Sequence, residues 1–130
     1  RHPDKLKLAK SFGLSTALSK DTVTPKSFDL TIDATGHPDG LQCAINLARP
    51  RGTVVMKSTF HGATPVELWP AVVDELTLIG SRCGPFEQGI EMLVKRNVKT
   101  ESLLTGSYQM ESFRTAFAVA RTSLKVLLRP

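Results

Sequence analysis

The sequence predicts an α/β protein organised on a parallel sheet, and three observations carry that prediction. FDLTIDATG at 28–36 and RGTVVMKST at 51–59 read as buried strands, rich in apolar and β-branched residues and ending in small polar ones. Between them Leu41, Ala44, Ile45 and Ala48 fall on one face of a helix over residues 39 to 48. The connection is long enough for a helix and too long for a hairpin, so the strands run parallel with a right-handed crossover. Strands filled on both faces carry no chemistry along their length. The chemistry therefore belongs at their carboxyl ends, Thr35-Gly36 and Lys57-Ser58-Thr59.

The remaining elements follow in order. Pro3 and Asp4 open a helix, Leu6, Ala9, Lys10 and Phe12 continue it, and Gly13 is its stop. A short strand near Thr16 to Ser19 leads through KDTVTPKS into the strand at 28–35. HPDG makes a turn, and Pro50 and Gly52 close the helix before the strand at 53–57. FHGATP is loop, Val66 to Trp69 is extended or a short edge strand, and Pro70 to Glu75 is a helical turn before LTLIGS. Phe86, Ile90, Leu93 and Val94 mark an amphipathic helix over 85–96, and SLLTGSYQ at 102–109 reads as a strand of different character. Met110 to Arg121 is a helix with Phe113, Ala116, Phe117 and Ala120 on one face and Glu111 in its first turn, where the macrodipole favours an acid. LKVLL is the last strand.

A length of 130 residues suits one domain with a real core, without repeats or low-complexity segments; the character of the strands shifts near residue 97. Cys43 and Cys83 lie far apart with no CxxC, and the amino terminus has no signal-like segment, which points to a reducing cytoplasm. No apolar run approaches the ~20 residues needed to span a bilayer. The net charge of +5 is local: residues 1 to 26 carry six Lys/Arg against two Asp, leaving +1 for the other 104 residues. Such a cluster fits a small phosphorylated ligand better than a nucleic-acid duplex, and with aromatics at 6% stacking platforms are scarce. Cys43 and Cys83 have no partners for a metal site, and His2, His37 and His61 are scattered through loops. Asp33 sits in a buried strand where it can cap a neighbouring turn, whereas Asp74 and Glu75 read as helix-end charges.

This order of elements, with RHPDKLKLAKSFG at 1–13, FDLTIDATG at 28–36, RPRGTVVMKST at 49–59, LTLIGSRCG at 76–84 and the final MESFRTAF and LKVLL, resembles the carboxyl-terminal half of medium-chain, zinc-type alcohol dehydrogenases. The resemblance runs over essentially the whole chain. It implies an incomplete Rossmann-like, doubly wound parallel sheet whose first two strands are missing from this sequence, with a short carboxyl-terminal α+β segment. Residues 1–96 would be a partial NAD(P)-binding domain and 97–130 the return to the catalytic domain. The GxGxxG fingerprint of the family has no counterpart here. Its zinc ligands also lie upstream of the matched region, so zinc is expected only in that missing half, with no catalytic and no metal-binding residue in this chain.

The implied activity is hydride transfer between NAD or NADP and an alcohol or polyol, for which this chain is the cofactor-binding portion and by itself inactive. By resemblance Arg1, His2 and Lys5 stand at the adenosine ribose, where Arg1 could meet a 2′-phosphate; this leans toward NADP, against simple solvation of a chain end. Thr35 and Gly36 match the adenine-side wall, though Gly36 would equally permit a turn. Lys57, Ser58 and Thr59 match positions beside the nicotinamide and its ribose. Lys57 departs from the small apolar residue usual there: either its ammonium reaches a ribose or pyrophosphate oxygen, or it forms an exposed salt bridge. Ser81, Arg82 and Cys83 match the turn that holds the carboxamide, with the Arg82 side chain toward the substrate pocket, favouring a polar or anionic alcohol such as a polyol or hydroxy acid. Lys125 is a lesser candidate near the pyrophosphate. Val66–Trp69 and Leu76–Ile79 resemble the segments that join two subunits edge to edge, unless Trp69 and Leu76 complete the local core. Two rival readings stand beside this: a truncated, non-catalytic paralogue acting as a dimerising or nucleotide-sensing module, and a zinc-free quinone reductase of the same superfamily.

Overall fold

The computed structural model describes residues 3–18, 21–59 and 61–130. In chain order the elements are α1 (Pro3–Ser11), β1 (Phe28–Asp33), α2 (Gly40–Leu47), β2 (Ala48–Met56), α3 (Trp69–Val73), β3 (Thr77–Gly80), α4 (Phe86–Val94), β4 (Leu104–Gln109), α5 (Phe113–Ala120) and β5 (Lys125–Arg129). Short 3-10 turns at Glu101–Leu103 and Met110–Ser112 flank β4. The elements gather into two compact units, Arg1–Cys83 and Gly84–Pro130.

The first unit is a three-stranded sheet in the order β1-β2-β3, parallel throughout. Leu30 pairs with Thr53 and Asp33 with Met56, while Thr53 pairs with Thr77 and Met56 with Gly80. A common register therefore brings all three carboxyl ends to one rim. The predicted β-α-β unit is present, with α2 between β1 and β2 as its crossover. Ala44, Ile45 and Ala48 of the predicted helix face are buried with Val54, and Leu41, Val66, Leu76 and Leu78 pack against that cluster. Complete burial of a side chain such as Ile45 stabilises by about 2–3 kcal/mol. The Thr31 hydroxyl also donates to the Ala44 carbonyl at 3.0 Å, so the helix is pinned to the strand by a polar bond inside the contact.

In this first unit four expectations change. Pro50 and Gly52 do not separate helix from strand, because β2 begins at Ala48 directly after α2; the ladder is irregular between Phe28 and Leu30 and resumes at Thr53. Arg51 has φ 62°, and a Cβ on Gly52 would meet the Arg49 carbonyl at 2.7 Å, so this bulge needs a glycine there. Secondly, β1 is buried on one face only. α2 covers Thr31 and Asp33, while Leu30 and Ile32 on the opposite face are 53% and 56% exposed, with nothing among the described residues to cover them.

Thirdly, Thr16, Ala17 and Leu18 form no strand, and Ser19 lies outside the described residues. Neither sheet offers these residues a ladder: the strands among the described residues pair only as β1-β2-β3 and β4-β5. Fourthly, residues 66–68 join no ladder and Trp69 starts α3 instead of ending a strand. Trp69 is 64% exposed and so does not complete the core, whereas Leu76 does pack against it.

The amino-terminal rim of this sheet is a closed set of charges. Lys26 Nζ sits 2.7 Å from Asp74 Oδ2 and 2.9 Å from Oδ1, Arg51 N–H donates to the Asp74 carbonyl at 2.7 Å, and Arg49 Nε donates to Asp29 Oδ1 at 2.6 Å. The Arg49 bond and charge hold Asp29's carboxyl below its ordinary value.

The second unit is a parallel pair, β4 and β5, connected through α5. Ala116 is its buried hydrophobic residue, on the predicted face of α5; Phe117 on the same helix is 65% exposed. α4 forms where its apolar spacing predicts, yet none of its residues is buried. The core that the length suggests is small: the described residues have few fully buried side chains, because in each unit only one sheet face has a helix against it.

Candidate nucleotide-facing rim of the sheet

The carboxyl rim is tied together by short bonds between strand tips. The Lys57 N–H donates to the Asp33 carbonyl at 2.9 Å, and the Ser58 hydroxyl accepts from the Gly36 N–H at 3.0 Å while donating to the Asp33 carbonyl at 3.4 Å. The Ser81 N–H donates to the Met56 carbonyl at 3.0 Å. Gly36 has φ 61°, so the turn after β1 does use the left-handed conformation glycine permits. Thr35, Gly36, Lys57, Ser58 and Ser81 are thus brought to one rim, followed directly by Arg82 and Cys83. Thr59 is exposed at the end of the same tip.

Asp33 organises the turn. Its Oδ1 accepts the Thr35 N–H at 3.0 Å and the Thr35 hydroxyl at 2.7 Å, and that hydroxyl in turn accepts the His37 N–H at 3.2 Å. Burial acts to raise the Asp33 carboxyl, but the Thr35 hydrogen bonds, with Ser58 beside them, outweigh it and leave the group below its ordinary value. The predicted turn cap is therefore present, and the carboxylate is anionic with one oxygen already engaged twice.

Gly40, the last residue of the HPDG turn, opens α2. A Cβ there would lie 2.0 Å from Thr35 Oγ1 and 2.3 Å from Asp33 Oδ1. The helix start is thereby seated against the carboxylate, whose charge faces the positive end of the helix macrodipole. The signal was available only as a conjunction: an acid, a Thr-Gly turn and a glycine at the first helical position.

Lys57 takes a course that neither sequence reading anticipated. Its ammonium donates to the Arg82 carbonyl at 2.7 Å, and among the described residues neither Lys57 nor Arg82 forms an ion pair. The exposed salt bridge is set aside by that bond. Lys57 and Arg82 thus bring two cations without carboxylate partners to a rim whose anionic Asp33 is turned to Thr35, and such a donor set suits an anionic, phosphate-bearing ligand.

Other candidates are not gathered here. Arg1 and His2 lie outside the described residues. Lys5 is exposed on α1, a helix that buries no residue, and has no hydrogen bond to the strand tips. Lys125 opens β5 in the second unit. His37 Nδ1 accepts the Asp39 N–H at 3.3 Å. Among the described residues no group of three or more His, Cys, Asp or Glu could hold a metal ion, and Cys43 and Cys83 are free.

Comparison with known proteins agrees with this architecture. The model of the zinc-binding dehydrogenase family matches residues 1–96. Erythritol/L-threitol dehydrogenase of Mycolicibacterium smegmatis is 27% identical over 145 residues, covering 98% of this chain and 40% of that protein. D-arabinitol dehydrogenase 1 of Uromyces fabae is 26% identical over 112 residues, covering 82% of the chain and 32% of that protein. The chain thus spans roughly a third to two fifths of the length of these relatives.

Among solved structures, L-idonate 5-dehydrogenase of Escherichia coli K-12 superposes with a TM-score of 0.86 at 22% identity, covering 98% of this chain and 40% of that one. An alcohol dehydrogenase of E. coli CFT073 complexed with NADH gives 0.83 at 24%, covering 100% and 43%. A Sinorhizobium meliloti 1021 protein bound to NADP gives 0.84 at 18%, again covering 100% and 43%. At these identities the structures establish the fold, a Rossmann-like arrangement of parallel strands. With the family model matching 96 of its 130 residues, the chain belongs to the zinc-binding dehydrogenase family.

Proposed function

We propose that this chain is the nicotinamide-dinucleotide-binding portion of a dehydrogenase that transfers a hydride between NAD or NADP and a small alcohol or polyol. One observation carries the reading: three parallel strand tips, tied to one another through Ser58, Lys57 and Ser81, bring Lys57 and Arg82, neither in an ion pair among the described residues, to the carboxyl rim, where open α/β sheets hold their ligands. Membership of the zinc-binding dehydrogenase family and the polyol substrates named for its relatives support it. The bound dinucleotide supplies the hydride chemistry; the residues of this chain orient it. Thr35 and Gly36 line the adenine side, Lys57, Ser58 and Thr59 pass the nicotinamide ribose, and Ser81 and Cys83 hold the carboxamide with Arg82 toward the substrate.

The lean toward NADP rests on Arg1 and Lys5; related structures carry NADH in one case and NADP in another. Residues 1–96 are read as the cofactor-binding part, 97–130 as the return to a catalytic domain, and the zinc as held by ligands outside this sequence. Two copies pair through the free edge of β3 and the exposed apolar side chains of α3. No helix among the described residues is long and apolar enough to cross a membrane, and with two free cysteines the reading places the protein in a reducing cytoplasm.

Fluorescence titration with NADH and NADPH tests the reading. The polypeptide that carries these residues within a complete sheet should bind one or both and oxidise polyols. The 130 residues by themselves should bind weakly, because the Gly-rich turn that cradles the pyrophosphate is not among them. Failure of the larger polypeptide to bind either nucleotide overturns it.

A further inference from the structure

The turn after β3 is held by two bonds, one to the last residue of β2 and one to the residue that follows it. The Ser81 N–H donates to the Met56 carbonyl at 3.0 Å, and the Arg82 carbonyl accepts the Lys57 ammonium at 2.7 Å. No other hydrogen bond from the described residues reaches Ser81, Arg82 or Cys83. The turn is flanked by Gly80 and Gly84, beside whose Cβ positions there is open space, so its backbone has wide freedom once a tether is lost.

In a trans peptide the C=O and the following N–H point in opposite directions. Holding the Arg82 carbonyl toward β2 therefore turns the Cys83 N–H away from it, and the Arg82 side chain leaves a backbone fixed on both sides. One of the three ammonium protons of Lys57 is engaged in this bond, leaving two to face the rim.

We propose that Lys57 is a positioning residue: it locks the Arg82–Cys83 peptide and thereby sets the direction in which the Arg82 side chain leaves the turn, so that discrimination between anionic and neutral polyols depends on Lys57 acting through Arg82. This rests on reading the carboxyl rim as the nicotinamide and substrate side. Lysine suits the task because its flexible stem lets a point charge reach a carbonyl on the neighbouring strand tip.

The test uses the full polypeptide carrying these residues, as wild type, Lys57→Met, Lys57→Arg, Arg82→Leu and the Lys57→Met/Arg82→Leu double variant. For each, kcat/KM is measured on a neutral polyol and on its phosphorylated counterpart, with Tm and amide hydrogen exchange at residues 81–84. Lys57→Met should lower the anionic-to-neutral ratio about tenfold and speed exchange in the turn. Lys57→Arg should recover most of both, and Lys57→Met should have no further effect on the ratio in the Arg82→Leu background. An equal change of ratio in both backgrounds overturns the proposal, as does a lowered Tm with ratio and exchange unmoved. A wild type with no nicotinamide-dependent turnover on any polyol overturns the functional reading and the discrimination together, while unaltered exchange in Lys57→Met overturns the lock alone.

Discussion

Gly40 is seated directly against Asp33: a single added carbon on the glycine would lie 2.3 Å from the carboxylate oxygen Oδ1. The first turn of α2 and the tip of β1 therefore meet at a distance no side chain can share, and the crossover helix takes its start from that contact.

Gly40→Ala should accordingly destabilise the protein, although alanine is the better helix former by about 1 kcal/mol. Overpacking against Asp33 and Thr35 should outweigh that gain, for a net loss of about 1–2 kcal/mol. Urea denaturation of the two forms decides the matter; a midpoint unchanged or raised in the variant would refute the close seating.

Acid should weaken the fold through Asp33. Its carboxyl is held below its ordinary value in the folded state, so between the folded and unfolded values the unfolded chain binds more protons and stability rises with pH. The contribution is complete above the unfolded carboxylate pKa of about 3.9 and fades as pH drops through the folded value. The urea midpoint of the wild type should fall below about pH 4, and that of Asp33→Asn should fall less steeply. Parallel curves would show that Asp33 does not carry the dependence.

At the opposite rim the Lys26–Asp74 pair joins the approach to β1 with the approach to β3, and Asp74's side chain is only 10% exposed against 53% for Lys26. Lys26→Met should leave a nearly buried carboxylate without its counter-ion and cost about 1–2 kcal/mol, less than a fully buried pair because the lysine is half solvated. A second change, Asp74→Leu, should return part of that loss by removing the stranded charge. Additive losses in the double variant would contradict this.

Self-association is expected at β3. Its outer edge pairs with no strand among the described residues, and Trp69, Val72, Val73 and Ile79 beside it are all well exposed. In the full polypeptide Ile79→Lys should shift sedimentation from dimer toward monomer, since an edge-strand lysine resists pairing with a second sheet. An unaltered dimer would place the interface elsewhere.

The element types and the rim were legible in the amino-acid sequence because both depend on local spacing. Leu41, Ala44, Ile45 and Ala48 recur at helical intervals, and three of them are buried; FDLTID and TVVM carry the apolar density of strands, and a helix-length crossover leaves parallel pairing as the open course. Thr35-Gly36, Lys57-Ser58 and Ser81 then had to share one edge, as parallel strands all end on the same side. The outer face of β1 was misjudged for the complementary reason: Leu30 and Ile32 announce that a face wants cover, but burial depends on a second element being there.

What only the tertiary structure decided is which atoms meet across long stretches of chain. Ser58 finds Gly36 over 22 residues, and the Lys57 ammonium finds the Arg82 carbonyl over 25. Those partners follow from strand register, a property of the assembled sheet: one step of slip would turn every side chain to the other face and break each of these bonds, while leaving the hydrophobic period of every strand unaltered.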